Sequence, residues 1–287
     1  MSEPRVVCVL SGGGAKAAAH VGALKALEER GLTVSHFVGT SMGAVIAACY
    51  ASGLTYRQML VKVTGLTSGA VARPSAGLLL GPLAQSILSD APLRRTIGDL
   101  VPVRRFADLV IPLAVTAVDT RNGDLVVFGD GGRARVPLLD ALYASCALAV
   151  YYPPASIGDR QYVDGGLRSV LALDLAFRFD PDLVLAVNVG PSRYAEPSEE
   201  DIPIPPMLRA HDRAMRILMG SQTEREVARW RDGPVPVILV EPHLHHGATF
   251  DVSGAVRYVE EGYRAAVRAM RDPTIARPLA ALQEGRE

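Results

Sequence analysis

Three short stretches of this chain place chemically capable side chains beside glycine: Gly12-Gly13-Gly14-Ala15-Lys16-Ala17, Gly39-Thr40-Ser41-Met42-Gly43 and, much later, Asp164-Gly165-Gly166. The first follows a strand-like run and opens a helical one, so its amides converge, unshielded by side chains, where a helix dipole favours negative charge. Three anions are conceivable there. A dinucleotide turn fits the loose spacing of Gly12, Gly14 and Ala17, but it asks for an acidic residue about twenty positions on to hold a ribose. Residues 32–38 contain none. A Walker-type phosphate loop wants a longer gap between its glycines and a hydroxyl after its lysine; Lys16 is followed by Ala17. The third anion is the oxyanion of acyl transfer.

That reading depends on what lies beside the loop. Gly39-Thr40-Ser41-Met42-Gly43 has the G-x-S-x-G form of a nucleophile elbow, in which the flanking Gly39 and Gly43 relieve crowding in a strained strand-to-helix turn. A hydroxyl at this place can also simply cap the next helix. A right-handed crossover between two parallel strands, however, brings their carboxyl ends to one edge of the sheet. Ser41 then neighbours the glycine loop, which supplies a nucleophile and a cradle for a tetrahedral intermediate.

Serine needs a base. Two Asp-Gly-Gly stretches offer one, at Asp164 and at Asp130, while Asp119 reads as a turn or a buried acceptor. A Ser-Asp-His triad also stays open, because His211, His243, His245 and His246 follow Asp164 in the α/β-hydrolase order. Those enzymes usually build several strands before the elbow, and here it follows the second. The 243–246 cluster lacks a matching Cys or carboxylate motif for a metal, and His20 reads as a packing residue or one standing behind the site.

The elements that must position these groups alternate. A strand at 6–10, a helix at 17–30 closed by Gly31, a strand through Phe37 and Val38 and a helix at 42–53 form a βαβ unit. Further strands are expected at 111–118, 183–189 and 235–240, with a closing helix at 253–270. This pattern predicts one α/β domain over residues 1–287, with a mostly parallel central sheet and helices on both faces. One hairpin is expected at Arg121-Asn122-Gly123-Asp124. Loops are expected at 67–82 and at 191–206, the latter with five prolines and an acidic run. The apolar segment 77–83, with Ile87 and Leu88, reads either as a mobile lip over an acyl chain or as a helix packed on the core.

Thirty basic residues balance thirty acidic ones, which removes the field needed to hold a polyanion, so no nucleic-acid partner is expected. Cys8, Cys49 and Cys146 each sit in an apolar stretch and read as buried thiols in a reducing compartment. The first apolar run is too short for a signal peptide and no segment approaches a membrane span, which points to a cytoplasmic protein.

Taken in order, the three glycine-flanked motifs resemble the patatin-like phospholipase family. The resemblance extends to Leu24-Lys25-Ala26-Leu27-Glu28-Glu29, to Ala144-Ser145-Cys146-Ala147 and to a helix at 213–231 leading into a strand. It implies a three-layer α/β/α fold and a Ser-Asp dyad with Ser41 as nucleophile and Asp164 as proton acceptor. It implies an oxyanion site from Gly12, Gly13 and Gly14 with Lys16, and hydrolysis of phospholipid, lysophospholipid or related esters with no metal or cofactor. A lipid ester is then the partner, met by peripheral membrane contact. Ala17, Ala149-Val150 and Arg168-Ser169 depart from the family pattern, where glycine, a proline-containing turn and asparagine are usual. These departures bear on substrate choice more than on chemistry. A non-catalytic acyl-ligand-binding protein is the alternative from another class. The arginines of 209–231 either touch anionic headgroups or line a solvated helix face.

Overall fold

The computed structural model describes residues 4–77, 84–191, 206–231, 233–244, 250–272 and 275. The expected alternation opens the chain: β1 (Val6–Leu10), α1 (Ala18–Glu28), β2 (Val34–Thr40) and α2 (Met42–Ala51). Three helices follow, α3 (Tyr56–Thr64), α4 (Ser68–Val71) and α5 (Asp90–Leu100), before the hairpin of β3 (Leu113–Asp119) and β4 (Leu125–Gly129). Next come α6 (Leu138–Cys146), β5 (Ala155–Ile157), β6 (Arg160–Asp164) and α7 (Leu173–Ala176). The chain continues with β7 (Leu183–Val187), α8 (Pro206–Trp230), β8 (Val237–Val240) and α9 (Ala255–Met270).

β1, β3 and β7 are buried along their whole length, as strands covered on both faces must be. β8, β7, β1, β2 and β3 run parallel in that spatial order. Along β1 the side chains alternate between two cores. Val6, Cys8 and Leu10 join α1, α2, α5, α6 and α9 on one face, and Val7 and Val9 join residues 171–176 and part of α8 on the other.

The hairpin turns where expected, with Gly123 at φ 73. The pairing of β6 antiparallel to β3, with β5 antiparallel to β6 beyond it, is an addition to the expected sheet. It fixes the site. β4 pairs with residues 114–118 of β3, so it occupies one edge of that strand throughout. β2 pairs with residues 113–116 and β6 with 117–119, and both must therefore share the other edge, end to end. Thr40, the last residue of β2, faces Thr116, and Asp164, the last of β6, faces Ala117.

Glycine sets how closely α1 and α9 approach. A Cβ on Gly22 would stand 1.9 Å from the Val259 carbonyl oxygen, and one on Gly262 would stand 2.0 Å from that of Ala19. Of the segment expected as a lip or helix, residues 78–83 lie outside the described residues, as do 192–205, His245 and His246. Leu88 is buried, and the N–H groups of Ile87 and Leu88 donate to Val150 O and Tyr151 O. Among the described residues no helix is long and apolar enough to cross a membrane.

Gly262→Ala is expected to lower stability by about 1–3 kcal/mol through overpacking. A denaturation midpoint equal to that of the parent would contradict the backbone-to-backbone approach of α1 and α9.

Candidate active site

Ser41 stands between β2 and α2 with φ 53 and ψ −134, a left-handed conformation that costs a residue with a Cβ on the order of 1–3 kcal/mol. Its neighbours impose the turn. A Cβ on Gly39 would lie 2.4 Å from Ala44 Cα, and one on Gly43 would lie 2.3 Å from Ser11 O, so only glycine allows α2 to fold back this tightly against β1 and β2. The Ser41 N–H donates to the buried Ser145 Oγ at 2.7 Å. The serine side chain makes no capping bond to its own helix, which removes the helix-cap alternative.

Instead Ser41 stands beside Asp164, which the shared edge of β3 has brought to the end of β2, and both border the same cavity. Asp164 is 4% exposed; its Oδ1 accepts the Gly166 N–H at 2.8 Å, and its own N–H donates to Ala147 O at 3.0 Å. Burial pushes the carboxyl up from its ordinary value to about 6, against the opposing pull of the Ser41 and Gly166 bonds. Gly165 lets β6 end against β3, since a Cβ there would meet Thr116 O at 2.6 Å. Where β2 ends against β3, the buried hydroxyls of Thr40 and Thr116 lie 2.8 Å apart.

The glycine loop is held from behind. His20 is fully buried, and its Nε2 lies 2.9 Å from Ser11 O. Burial lowers its pKa to about 4, so the ring is neutral near pH 7 and donates from Nε2. Ser11 Oγ accepts the Val189 N–H and donates to Gly12 O, while the Gly12 N–H donates to Val170 O at 3.1 Å. Gly12 is thereby spent as a donor. What it provides is room, for a Cβ there would meet Ser41 Cβ at 3.2 Å. The N–H groups of Gly13 and Gly14 have no backbone partner among the described residues. Gly14 turns at φ 58 into a single 3-10 turn, Gly14–Ala17, that leads into α1.

These groups open onto one cavity of about 170 Å³, bordered by Gly12, Gly13, Gly14, Lys16, Ser41 and Asp164. Its inner wall is apolar, built from Ile46 of α2, Val63 of α3, Val71 of α4 and Leu93 and Leu100 of α5. On the outer side stand Met215, Arg216 and Met219 of α8, with Phe250 and Val252.

Of the other candidates, Asp130 lies on the surface, 3.6 Å from His36, and Asp119 is buried against Arg160 at 2.6 Å. His211 borders the cavity from α8 and His243 is exposed beyond β8; no histidine bonds Ser41 or Asp164 among the described residues. No group of three or more metal-ligating side chains occurs among the described residues. At the departures from the family pattern, Val150 adopts φ 73, a strained conformation for a β-branched residue, and Ser169 Oγ donates to Glu226 of α8 at 2.7 Å. Cys8, Cys49 and Cys146 are free and buried. Cys146 also borders the cavity, and burial raises its thiol well above the usual range.

Ser145, Thr116 and Val170 belong to none of the three glycine-flanked motifs. Their signal is weak because each acts through an ordinary hydroxyl or carbonyl whose partner is far away in the chain. Ser145→Ala leaves the Ser41 N–H without its acceptor and is expected to cost about 1–3 kcal/mol of stability. An unchanged urea midpoint would mean that water replaces the hydroxyl.

Among solved structures the fold is similar to that of VipD from Legionella pneumophila, at a TM-score of 0.51 and 15% identity over 94% of this chain and 67% of that one. An uncharacterised NTE family protein of Mycobacterium tuberculosis is 32% identical over 204 residues. Patatin-like phospholipase domain-containing protein 7 of Mus musculus is 29% identical over 187 residues. The matched regions are 69% and 64% of this chain but 54% and 14% of those relatives, so it spans about half the length of the first and a small part of the second. The Patatin-like phospholipase family model matches residues 8–177, which takes in the glycine loop, Ser41 and Asp164 and more than half of the sequence. The chain belongs to the patatin-like phospholipase family.

Proposed function

We propose that this protein is a serine-dependent hydrolase of lipid acyl esters that works through Ser41 and Asp164. The observation that carries the reading is the placement of a serine, held in a left-handed turn, beside a buried carboxylate at the head of an apolar cavity. Family membership supports a lipid as the substrate. The acyl chain lies along the wall formed by Ile46, Val71, Leu93 and Leu100, with the ester carbonyl at Ser41.

In the first step Ser41 Oγ attacks the carbonyl carbon as its proton passes to Asp164. The negative oxygen that forms is met by the N–H groups of Gly13 and Gly14, with Lys16 adding positive charge at the cavity edge. Asp164 returns the proton to the departing alkoxide, then takes one from the water that attacks the acyl-enzyme and delivers it to the leaving Ser41 Oγ, which frees the acid and restores both groups. An ordinary carboxylate is a weak base for this work. Desolvation strengthens Asp164, and the same exclusion of water strengthens the oxyanion bonds. The substrate is drawn from a lipid surface by peripheral contact on the side of α8, where Met207, Ile217 and Leu218 are exposed beside the cavity.

Fluorophosphonate labelling and fatty-acid release from a lipid ester test the proposal together. Ser41→Ala should abolish both, and labelling that survives this substitution refutes the role of Ser41. Because only ionised Asp164 accepts the proton, kcat/KM should rise with pH along a limb centred near 6. A profile flat between about pH 5 and 8 would remove Asp164 as the base.

Asp164 also sets stability against activity. Below its ordinary pKa the carboxyl is protonated folded and unfolded, and its burial exacts no ionic penalty. As pH rises through about 6 the folded state must bury an ionised group, and that relative stability is lost. Asp164→Asn should therefore be inactive, yet more stable than the parent by on the order of 2–3 kcal/mol at about pH 8, with no gain near pH 4. Chemical denaturation at the two pH values checks this, and an equal difference at both would disprove it.

A further inference from the structure

The cavity has a second chemistry at its outer end. Helix α8 is anchored by its C-terminal half: Glu226 accepts from Ser169 Oγ and the Asp174 N–H, Arg229 and Trp230 bond Asp174, and Trp230 stacks on Phe177. The preceding turns of the helix carry His211, Asp212, Met215 and Arg216 past the cavity.

The arginines of this protein commonly sit against carboxylates, as Arg94 does with Asp90 and Asp140, Arg105 with Asp108 and Arg160 with Asp119. Arg216 is half-buried, borders the cavity and has no carboxylate within ion-pair distance among the described residues. Asp212, one turn earlier on the same helix, does not serve it. One of its oxygens accepts the Tyr151 hydroxyl, and the other lies 3.6 Å from His211 Nδ1. That ring nitrogen is itself buried with no hydrogen-bond partner. The Arg216 guanidinium thus borders the cavity without a carboxylate partner among the described residues, while Asp212 is engaged by Tyr151 and His211. A guanidinium pairs best with a planar or tetrahedral oxyanion that takes two of its N–H groups, which is the geometry of a phosphate.

We propose that Arg216 holds the phosphate of a singly acylated glycerophospholipid whose chain fills the apolar end of the cavity and whose ester lies at Ser41. At about 170 Å³ the cavity is smaller than the roughly 300–1,000 Å³ of drug-sized ligand pockets, so it suits one chain rather than two. Arg216 is here a specificity-determining residue that never touches the reacting atoms. The assignment rests on the Ser41–Asp164 reading for turnover, and on the cavity alone for binding.

The test compares lysophosphatidylglycerol with the monoacylglycerol of the same chain, which differs by the phosphoglycerol group. In Arg216→Ala the ratio of their kcat/KM values should fall about tenfold, the loss appearing in KM for the phosphate-bearing lipid. Arg216→Lys should restore part of it, and Arg216→Glu should lower it further. A ratio within about twofold of the parent in both Arg216→Ala and Arg216→Glu overturns the proposal. If the parent releases fatty acid from neither lipid, the proposed function fails but the subsite is still tested, by calorimetric titration of Ser41→Ala with each lipid. Adding Arg216→Ala to that protein should then weaken binding of the lysophospholipid selectively, and equal weakening of both lipids counts against the subsite. Glycerol 3-phosphate should compete far less well than the lysophospholipid. Equal potency would identify free phosphate rather than a lipid headgroup as the occupant and would overturn the assignment.

Discussion

The meeting of two strands on one edge of β3 is the constraint on which the site depends. β2 stops where β6 arrives from the opposite direction, and the two chain ends that face each other carry Ser41 and Asp164. Backbone hydrogen bonds, rather than long flexible side chains, therefore set the separation of the two groups. Two groups held apart by backbone in this way need little reorganisation to act together, which is the condition under which electrostatic catalysis is strongest. The glycines follow from the same crowding. Gly39, Gly43 and Gly165 each stand where a Cβ would strike backbone atoms.

This arrangement is costly, and the cost is concentrated. Ser41 holds a strained backbone, Val150 holds another close by, and Asp164 is a carboxylate with almost no access to water. Each would relax if the surroundings allowed it. The surroundings are a sheet whose central strands are buried on both faces and two helices packed at glycine-to-carbonyl distance. The stability of that frame holds the site in a conformation that the local sequence alone would not choose.

Much of this was legible in the residues. Strand-loop-helix signals located β1, α1, β2 and α2 closely, because buried parallel strands are apolar runs and glycines mark the turns. The Ser41 turn was legible for the same reason. The residues alone left Asp164 and Asp130 as rivals, since both are followed by Gly-Gly; resemblance to a family favoured Asp164, and the pairing of β6 with β3 separates the two in space. That pairing is non-local and leaves no periodic trace. β5 is three residues long, too short for an alternation to register. Ser145 was hidden because a serine at a helix end has many ordinary reasons to be there. Gly12 was expected to donate to an oxyanion, but the carbonyl that takes its N–H, Val170, comes from a segment whose path only the fold reveals.

Helix α8 is fastened at one end and largely exposed at the other, with Gly220 and Thr223 its buried residues. Substitutions in its first half therefore alter one border of the cavity while leaving the sheet, the Ser41 turn and Asp164 as they are. Within such a scaffold, selection can redraw which molecules are admitted without disturbing what happens to them once inside. The rim of such a cavity and the groups at its head are free to diversify at different rates.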